Sequence, residues 1–591
     1  MTRLFGYIWR LRYWYLLGVL FTLAFSFISS LLPLLTRDAT NAVRSGHLDR
    51  LGHISLLMIL VAILMGVARS LSRIITFNTG RDIEFALRNE LFTHLTKLSP
   101  AFYEKLKTGD LMSRMINDLT AIRMMVGMGV LSFTSTPATY IFTLGFMLRL
   151  SPRLTLATIA PYLLLFVVIR RLTRAMMERN LKVQVGLGAM GAKVQESLSG
   201  IHLVKAYTLE DRERERFQKL NDEFNEQGLG LARVRGALMP LIRAAVALSM
   251  MILLSYGGVL IEAKQIAIGD LVAFMGYLSQ LAWPTVSIGW MLSIYQRAKA
   301  SMQRLEEILE TEPMMTVEGP ETRIETTGAI EWERVSFDYF ANDNGLANRD
   351  VPANGAPHRE WALQDISVKV PPGGKLAIVG RTGSGKSTMV KLLGRLIEPT
   401  TGRITLDGRD IREVPLAALR KTVGVVPQEP ILFSDTIARN IAFGRLDATV
   451  EELTAAANTA GLEGDLAVMP RGLGTIVGER GMSLSGGQKQ RVTIARLLTY
   501  NPTVVVLDDA LSSVDTETER GVLQSLEESV KGRTTIVVAH RASTVRDADE
   551  IVVLDEGRIA ERGTHEQLMS RRGIYSELFK RQLLEEELAN Y

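Results

Sequence analysis

Apolar residues gather into six long runs before residue 300, roughly Trp14–Leu35, Ser55–Phe77, Met124–Leu148, Leu154–Ile169, Pro240–Ile261 and Leu271–Ile294. Most hold about 20 residues, which at about 1.5 Å of rise each cover about 30 Å of hydrocarbon. Six such runs rarely share one soluble core, so the pattern predicts six transmembrane helices. The first run is longer than a typical signal core and more spans follow it, so it reads as retained. Two intervals, about 78–123 and 170–239, are charged yet keep apolar residues at helical spacing, as in "IEFALRNELFTHLTKL". They predict helices that run on from the membrane into water. Interruptions around Gly109 and Thr208 predict a short cross-helix at each tip, resting on a soluble domain.

The pattern changes after about residue 300. A helix gives way to a Pro- and Gly-punctuated linker at 313–328, and from 329 to 591 β-branched runs alternate with helical stretches. That alternation predicts an α/β domain with much parallel strand. The fold class expected is therefore multidomain: an all-α six-helix transmembrane domain over 1–312, the linker, then an α/β domain over 329–591.

Composition agrees with a membrane half joined to a soluble half. The 591 residues are 47% hydrophobic and 22% charged, with a mean hydropathy of +0.13. Cysteine is absent, which excludes disulfides, thiol catalysis and cysteine metal sites. The net charge of +5 fits basic residues beside lipid headgroups better than a nucleic-acid partner, and no nucleic acid is expected. Arg3, Arg10 and Arg12 favour a cytoplasmic N-terminus, although Arg37, Arg44 and Arg50 fall in the expected outer loop. An even number of spans puts both chain ends on one side. Arg69 and Arg243, within or near apolar runs, are expected to snorkel or to face a cavity.

The strongest chemical signal is "KLAIVGRTGSGKSTMVKLLGRL". An apolar strand enters Gly380, Arg381, Thr382, Gly383, Ser384, Gly385, Lys386, Ser387 and Thr388, and a helix follows, which is the context a phosphate-binding loop requires. Backbone N–H groups can close around phosphate oxygens there, and the helix start adds its positive dipole end. Lys386 brings a point charge to the β- and γ-phosphates, and the Ser387 hydroxyl can ligate Mg²⁺. Further on, "TVVVLDD" ends an apolar strand in Asp508, a second Mg²⁺ carboxylate. The soluble half is thus expected to be a P-loop NTPase binding ATP and Mg²⁺. Between these motifs, Ser485, Gly486, Gly487 and Gln488 open another helix, a second anion-binding element. One nucleotide does not need it, but two domains covering each other's nucleotides would.

With "LSGGQ" beside a phosphate loop, the chain resembles an ATP-binding cassette (ABC) exporter half-transporter over almost its whole length. The resemblance implies a helical subdomain within the nucleotide-binding domain. It also implies an adenine-stacking role for Tyr339, and sensing of Mg²⁺ and the membrane arms by Gln428. Glu479 would precede the signature, Asp515 would touch the opposite site, and His540 would sense the γ-phosphate. It further implies head-to-tail pairing of two cassettes around ATP. Coupling to an alternating-access membrane half would run mainly through the arm near residues 205–213. The implied location is a bacterial plasma membrane (inner membrane if Gram-negative), with the nucleotide-binding domain cytoplasmic.

Two departures stand out. Residues 340–360 lengthen the stretch after Tyr339 and read as a surface loop. Asp509 stands where the family usually has the glutamate that polarises the attacking water, and is one methylene shorter. It predicts a slow-hydrolysing site that still binds ATP, as in one subunit of heterodimeric multidrug exporters, with a partner chain carrying the full Glu. The expected substrate is a hydrophobic or amphipathic compound. Alternatives are a lipid or lipid-linked glycan flippase, a homodimeric exporter, and an ATP-gated channel or sensor.

Overall fold

The computed structural model describes residues 2–47, 49–106, 108–313, 324–339, 361–511, 516–539 and 545–589. The insertion at 340–360, Asp515 and His540 lie outside them. The chain divides into two compact units, Met1–Lys97 with Thr108–Glu312, and Leu98–Lys107 with Pro313–Tyr591.

Among the described residues of the first unit six helices are long and apolar enough to cross a membrane: Arg12–Arg44, Asp49–Leu95, Thr108–Leu150, Pro152–Ser199, Glu210–Glu262 and Ile268–Leu309. Each contains one of the apolar runs. All but the first span 42 to 53 residues, about 60–80 Å of helix and far more than a bilayer needs. In the second to fifth helices most of the surplus lies in the charged intervals, and in the sixth it lies beyond Ile294. The second interruption falls where the sequence put it, with a short helix Ile201–Ala206 followed by Thr208 in the left-handed region at φ 53°. So does the first: the short helix Pro100–Lys105 ends at Leu106 in extended geometry (φ −108°, ψ 128°), and the next helix, Thr108–Ser113, opens one residue before Gly109. Proline sets the other end of the short helix: it holds Ser99 extended (φ −68°, ψ 153°) and starts the helix at its own position.

Small and hydroxyl side chains let these helices approach closely. On the first helix Gly18, Thr22, Ser26 and Ser30 are buried at intervals of four, one face of the helix. Thr22 and Ser72 of the second helix share a hydrogen bond of 2.5 Å, and a Cβ on Gly18 would lie 2.6 Å from Thr76 Oγ1. Such contacts hold helices where lipid gives no hydrophobic drive for them to associate. At one end of the first and sixth helices, Arg37 pairs with Asp270 at 2.6 Å and Gly269 N–H donates to Asn41 Oδ1 at 3.1 Å. The third helix carries two π-helical turns, Arg114–Asp118 and Met125–Gly129. The first of them aims the buried Arg114 at Asp110 (2.8 Å) and at Glu307 of the sixth helix (3.0 Å). Arg304 completes the network by reaching Asp110 at 2.8 Å.

The second unit is built on two sheets. Strands β1 (Ile330–Asp338), β2 (Trp361–Val370), β4 (Thr401–Leu406) and β5 (Arg409–Asp410) form an antiparallel sheet in the order β2-β1-β4-β5. Strands β3 (Lys375–Gly380), β6 (Val423–Val426), β7 (Val504–Asp508), β8 (Thr534–Val538), β9 (Glu550–Asp555) and β10 (Arg558–Gly563) form the other, in the order β10-β9-β3-β8-β7-β6. All its pairings are parallel except β10 with β9. Both faces of this sheet are covered, which is why its strands read as unbroken apolar runs. Leu376, Ile378, Val504, Val506, Ile536 and Val538 join the core with the antiparallel sheet, including Trp332 and Val368. Alternate residues Ala377, Val379, Val505, Leu507 and Val537 pack into a second core with the helices around Ile494 and Ala495. The strand period of two therefore assigns each side chain to its core.

Candidate nucleotide-binding site

Parallel strands sharing one direction bring their C-terminal ends to one edge of the sheet, where α/β folds bind ligands. Here that edge collects Gly380 at the end of β3, Asp508 at the end of β7, and Gln428 two residues beyond β6. The loop 380–385 follows, and the helix Lys386–Leu393 starts directly from it. Its glycines are needed for shape. Gly383 and Gly385 have φ of 84° and 99°, a region open to glycine at little cost. A Cβ on Gly385 would meet Ala362 O at 2.6 Å, and one on Gly380 would meet Leu554 O at 2.2 Å.

Lys386 is buried, and its ammonium donates to Gly380 O and Arg381 O, each at 2.9 Å. Burial lowers its pKa from the ordinary lysine value, against the opposing pull of the Asp508 and Asp509 carboxylates. Ser384 Oγ is buried with no hydrogen-bond partner among the described residues. An orphaned hydroxyl inside a loop of glycine N–H groups suits an anion with several acceptor oxygens. Ser387 Oγ lies 3.4 Å from Asp508 Oδ1. This hydroxyl–carboxylate oxygen pair, with the exposed Gln428 nearby on the strand edge, suits Mg²⁺, which takes one or two protein carboxylates and draws its other ligands from phosphates and water. Among the described residues no cluster of three or more His, Asp or Glu could hold a metal alone.

Tyr339 sits just past β1 at 40% exposure. Its hydroxyl is 3.2 Å from Thr388 Oγ1, its ring stands edge-on to Phe337 with centroids 4.7 Å apart, and Lys391 Nζ lies 6.0 Å from its centroid. The phosphate loop thus holds an aromatic plane at its flank. The Thr388 bond and Lys391 were not apparent from motif order. Asp509 follows β7 with φ 50°, a left-handed conformation that Asp tolerates better than most residues. Its N–H donates to Val538 O at 2.8 Å, which ties its backbone to β8.

At the second element the exposed Ser485 is the N-cap of the helix Gly486–Tyr500. Ser485 Oγ accepts from Gln488 N at 3.2 Å and Gln488 Oε1 accepts from Ser485 N at 2.9 Å. Gln488 Nε2 donates to Asp465 Oδ1 at 2.7 Å, and Arg491 donates to Asp465 Oδ2 at 2.5 Å. The Gln488 side chain is therefore occupied in building the helix start. The Ser485 hydroxyl proton and the N–H groups of Gly486 and Gly487 remain to face an anion. The S-x-x-Q spacing of a capping box was the signal in the sequence that could have revealed this. Glu479 is exposed in a short 3-10 turn, Glu479–Gly481.

The first unit holds a cavity of about 1010 Å³, lined in part by Phe25, Arg73, Thr136, Gln280 and Trp283 and by Arg69, for which a cavity-facing place was one of the expectations.

Comparison with known proteins follows the same division. The family model described as "ABC transporter transmembrane region" matches residues 15–285, and that described as "ABC transporter" matches 363–512. The chain is 36% identical over 580 residues to the "Probable multidrug resistance ABC transporter ATP-binding/permease protein YheI" of Bacillus subtilis (strain 168), covering 97% of this chain and 96% of the relative. It is 33% identical over 532 residues to the "Multidrug resistance-like ATP-binding protein MdlA" of Escherichia coli (strain K12), covering 90% and 87%. Among solved structures, "Structure of a bacterial Atm1-family ABC exporter with ATP bound" aligns with TM-score 0.77 and 29% identity, covering 97% of this chain and 98% of that one.

Proposed function

The chain belongs to the ABC transporter family, as a half-transporter with one transmembrane region and one nucleotide-binding domain, and from that premise we propose that it exports hydrophobic or amphipathic compounds at the expense of ATP. One observation carries this reading. A single nucleotide-binding unit contains two separate anion-facing helix starts, at Lys386 and at Gly486, which is one more than its own nucleotide needs. The surplus is accounted for when two chains pair and each lends Ser485, Gly486 and Gly487 to the other's ATP. In that assembly Lys386 would neutralise phosphate charge, Ser387, Asp508 and Gln428 would hold Mg²⁺, and Tyr339 would stack on the base. Mg²⁺ when bound supplies charge neutralisation at the β- and γ-phosphates. Asp509 orients the attacking water from too short a reach. Loss of the γ-phosphate loosens the pair, and the helical arms carry that change to the membrane unit. Asp515 and His540 would act at the same interface.

The short reach of Asp509 supports a heterodimer in which this chain's loop mostly retains ATP while a partner chain supplies the faster site. The plasma membrane of a bacterium is the location that fits, with the nucleotide-binding unit in the cytoplasm. The test is reconstitution of the chain, alone and with a co-expressed second half-transporter, in sealed vesicles. ATP should drive accumulation of an amphipathic dye against its gradient, faster with the partner. Equilibration without accumulation would point to a channel and overturn the export reading. Full activity from the homodimer would overturn the heterodimer.

A further inference from the structure

The cavity of the membrane unit carries charge of one sign. Arg69 and Arg73 both line it, four residues apart on the second helix and so on one face of it. No Asp or Glu is among its described lining residues. The Arg69 guanidinium lies 5.4 Å from the centroid of the Phe25 ring. It therefore turns across to the first helix and does not stretch along its own helix toward water. Trp283 and Trp290 contribute flat apolar surface, and Thr136 and Gln280 contribute polar groups. Within the apolar run Ser55–Phe77, Arg69 lies about 21 Å from the start and Arg73 about 27 Å. Both arginines therefore lie in the arm-side half of the span, Arg69 just past its middle. Ionised side chains are costly in a span, and where they persist they mark a ligand path. A quaternary ammonium would meet two guanidiniums and no counter-charge. A carboxylate or phosphate ester would meet two donors suited to it.

We infer that this cavity selects amphiphiles bearing an acidic group, with the acid on Arg69 and Arg73 and the aromatic or alkyl body against Trp283, Trp290 and Phe25. This deepens the export reading and rests on it. The acid could belong to a membrane lipid headgroup or to a free amphiphile, and the chemistry of recognition is shared.

The test uses the full chain in phosphatidylcholine nanodiscs and two fluorescent probes with the same dansyl-alkyl body, one ending in a carboxylate and one in a quaternary ammonium. The carboxylate probe should bind about tenfold more tightly or better, a difference of about 1.4 kcal/mol. The double change Arg69→Gln with Arg73→Gln should abolish that preference, and Arg69→Lys with Arg73→Lys should keep most of it. If the glutamine variant does not fold, the wild-type preference must still shrink as salt is raised. Equal affinity for both probes, a cationic preference, or an anionic preference that survives the glutamine variant would overturn the inference. Addition of phosphatidylglycerol separates the sources: competition assigns the acid to a lipid headgroup, and its absence assigns it to a free amphiphile. Transport separates this inference from its premise. ATP-driven accumulation of the cationic probe alone would overturn the anionic preference and leave export standing. Arginine-dependent binding with no ATP-driven movement of either probe would overturn export and leave the preference standing.

Discussion

Replacing Asp509 with glutamate should speed ATP hydrolysis, and the structure sets the size of the effect. Asp508 ends β7, in register with Val538 of β8. The N–H of Asp509 then donates to the carbonyl of that same Val538 at 2.8 Å. Two strands therefore fix the Asp509 backbone, and it cannot slide forward to compensate for a short side chain without breaking that bond. The missing methylene leaves the carboxylate about 1–1.5 Å short by ordinary bond geometry. A misplacement of about 1 Å can cost about 100-fold, and a well-placed base is worth about 10²–10⁴-fold. Asp509→Glu should accordingly raise turnover about 100-fold, a barrier lowered by about 2.7 kcal/mol, with nucleotide affinity nearly unchanged. The assay is phosphate release by the purified chain in nanodiscs at saturating Mg²⁺-ATP, beside a fluorescent-nucleotide titration. An unchanged rate in the glutamate variant, with wild type already fast, would refute the reach argument, because it would mean the aspartate attains a working position from this fixed backbone.

Other outcomes follow from the same geometry. Because burial lowers the Lys386 pKa below its ordinary 10.5, nucleotide affinity should be full below that lowered value and fall as pH rises through it, earlier than an exposed lysine would give. A pH series with fluorescent nucleotide checks this, and Lys386→Arg, a cation throughout, should flatten the fall. The folded state binds this proton less tightly than the unfolded chain, so the lysine's contribution to stability should rise with pH between the lowered and ordinary values. Asp465→Ala removes the ionic partner of the buried Arg491 and an anchor of Gln488, and should cost about 3 kcal/mol in thermal unfolding of the full chain. Ser485→Ala loses the cap and should cost about 1 kcal/mol. Gly269→Val places a Cβ 2.5 Å from Arg37 O and should destabilise the junction of the first and sixth helices by about 1–3 kcal/mol, read as a lowered melting temperature.

What the sequence made legible was local or periodic. The phosphate loop could be read because its function lies in consecutive residues between a strand and a helix. The parallel sheet could be read because strands buried on both faces, such as Val504–Asp508, admit few polar residues. The interruption of the first arm was legible near Gly109, although Gly109 itself needs no conformation special to glycine. Pro100 sets the start of the short helix before it. The network of Arg114, Asp110, Arg304 and Glu307 was invisible because its partners are up to about 190 residues apart. It also depends on a π-helical turn that no hydrophobic period encodes. Arg69 drew notice as a costly residue in a span, but its role depended on which helix it faces, which periodicity does not give.

Lys386 has a consequence for how the phosphate loop comes to have its shape. By bonding the Gly380 and Arg381 carbonyls it closes a ring within the loop, and serves as an internal strut as well as a charge. Ordering of six glycine-rich residues is thereby met during folding of the domain instead of at each encounter with nucleotide. Removing the side chain should loosen the loop itself, so the weak binding of an alanine variant would measure lost preorganisation and lost attraction together.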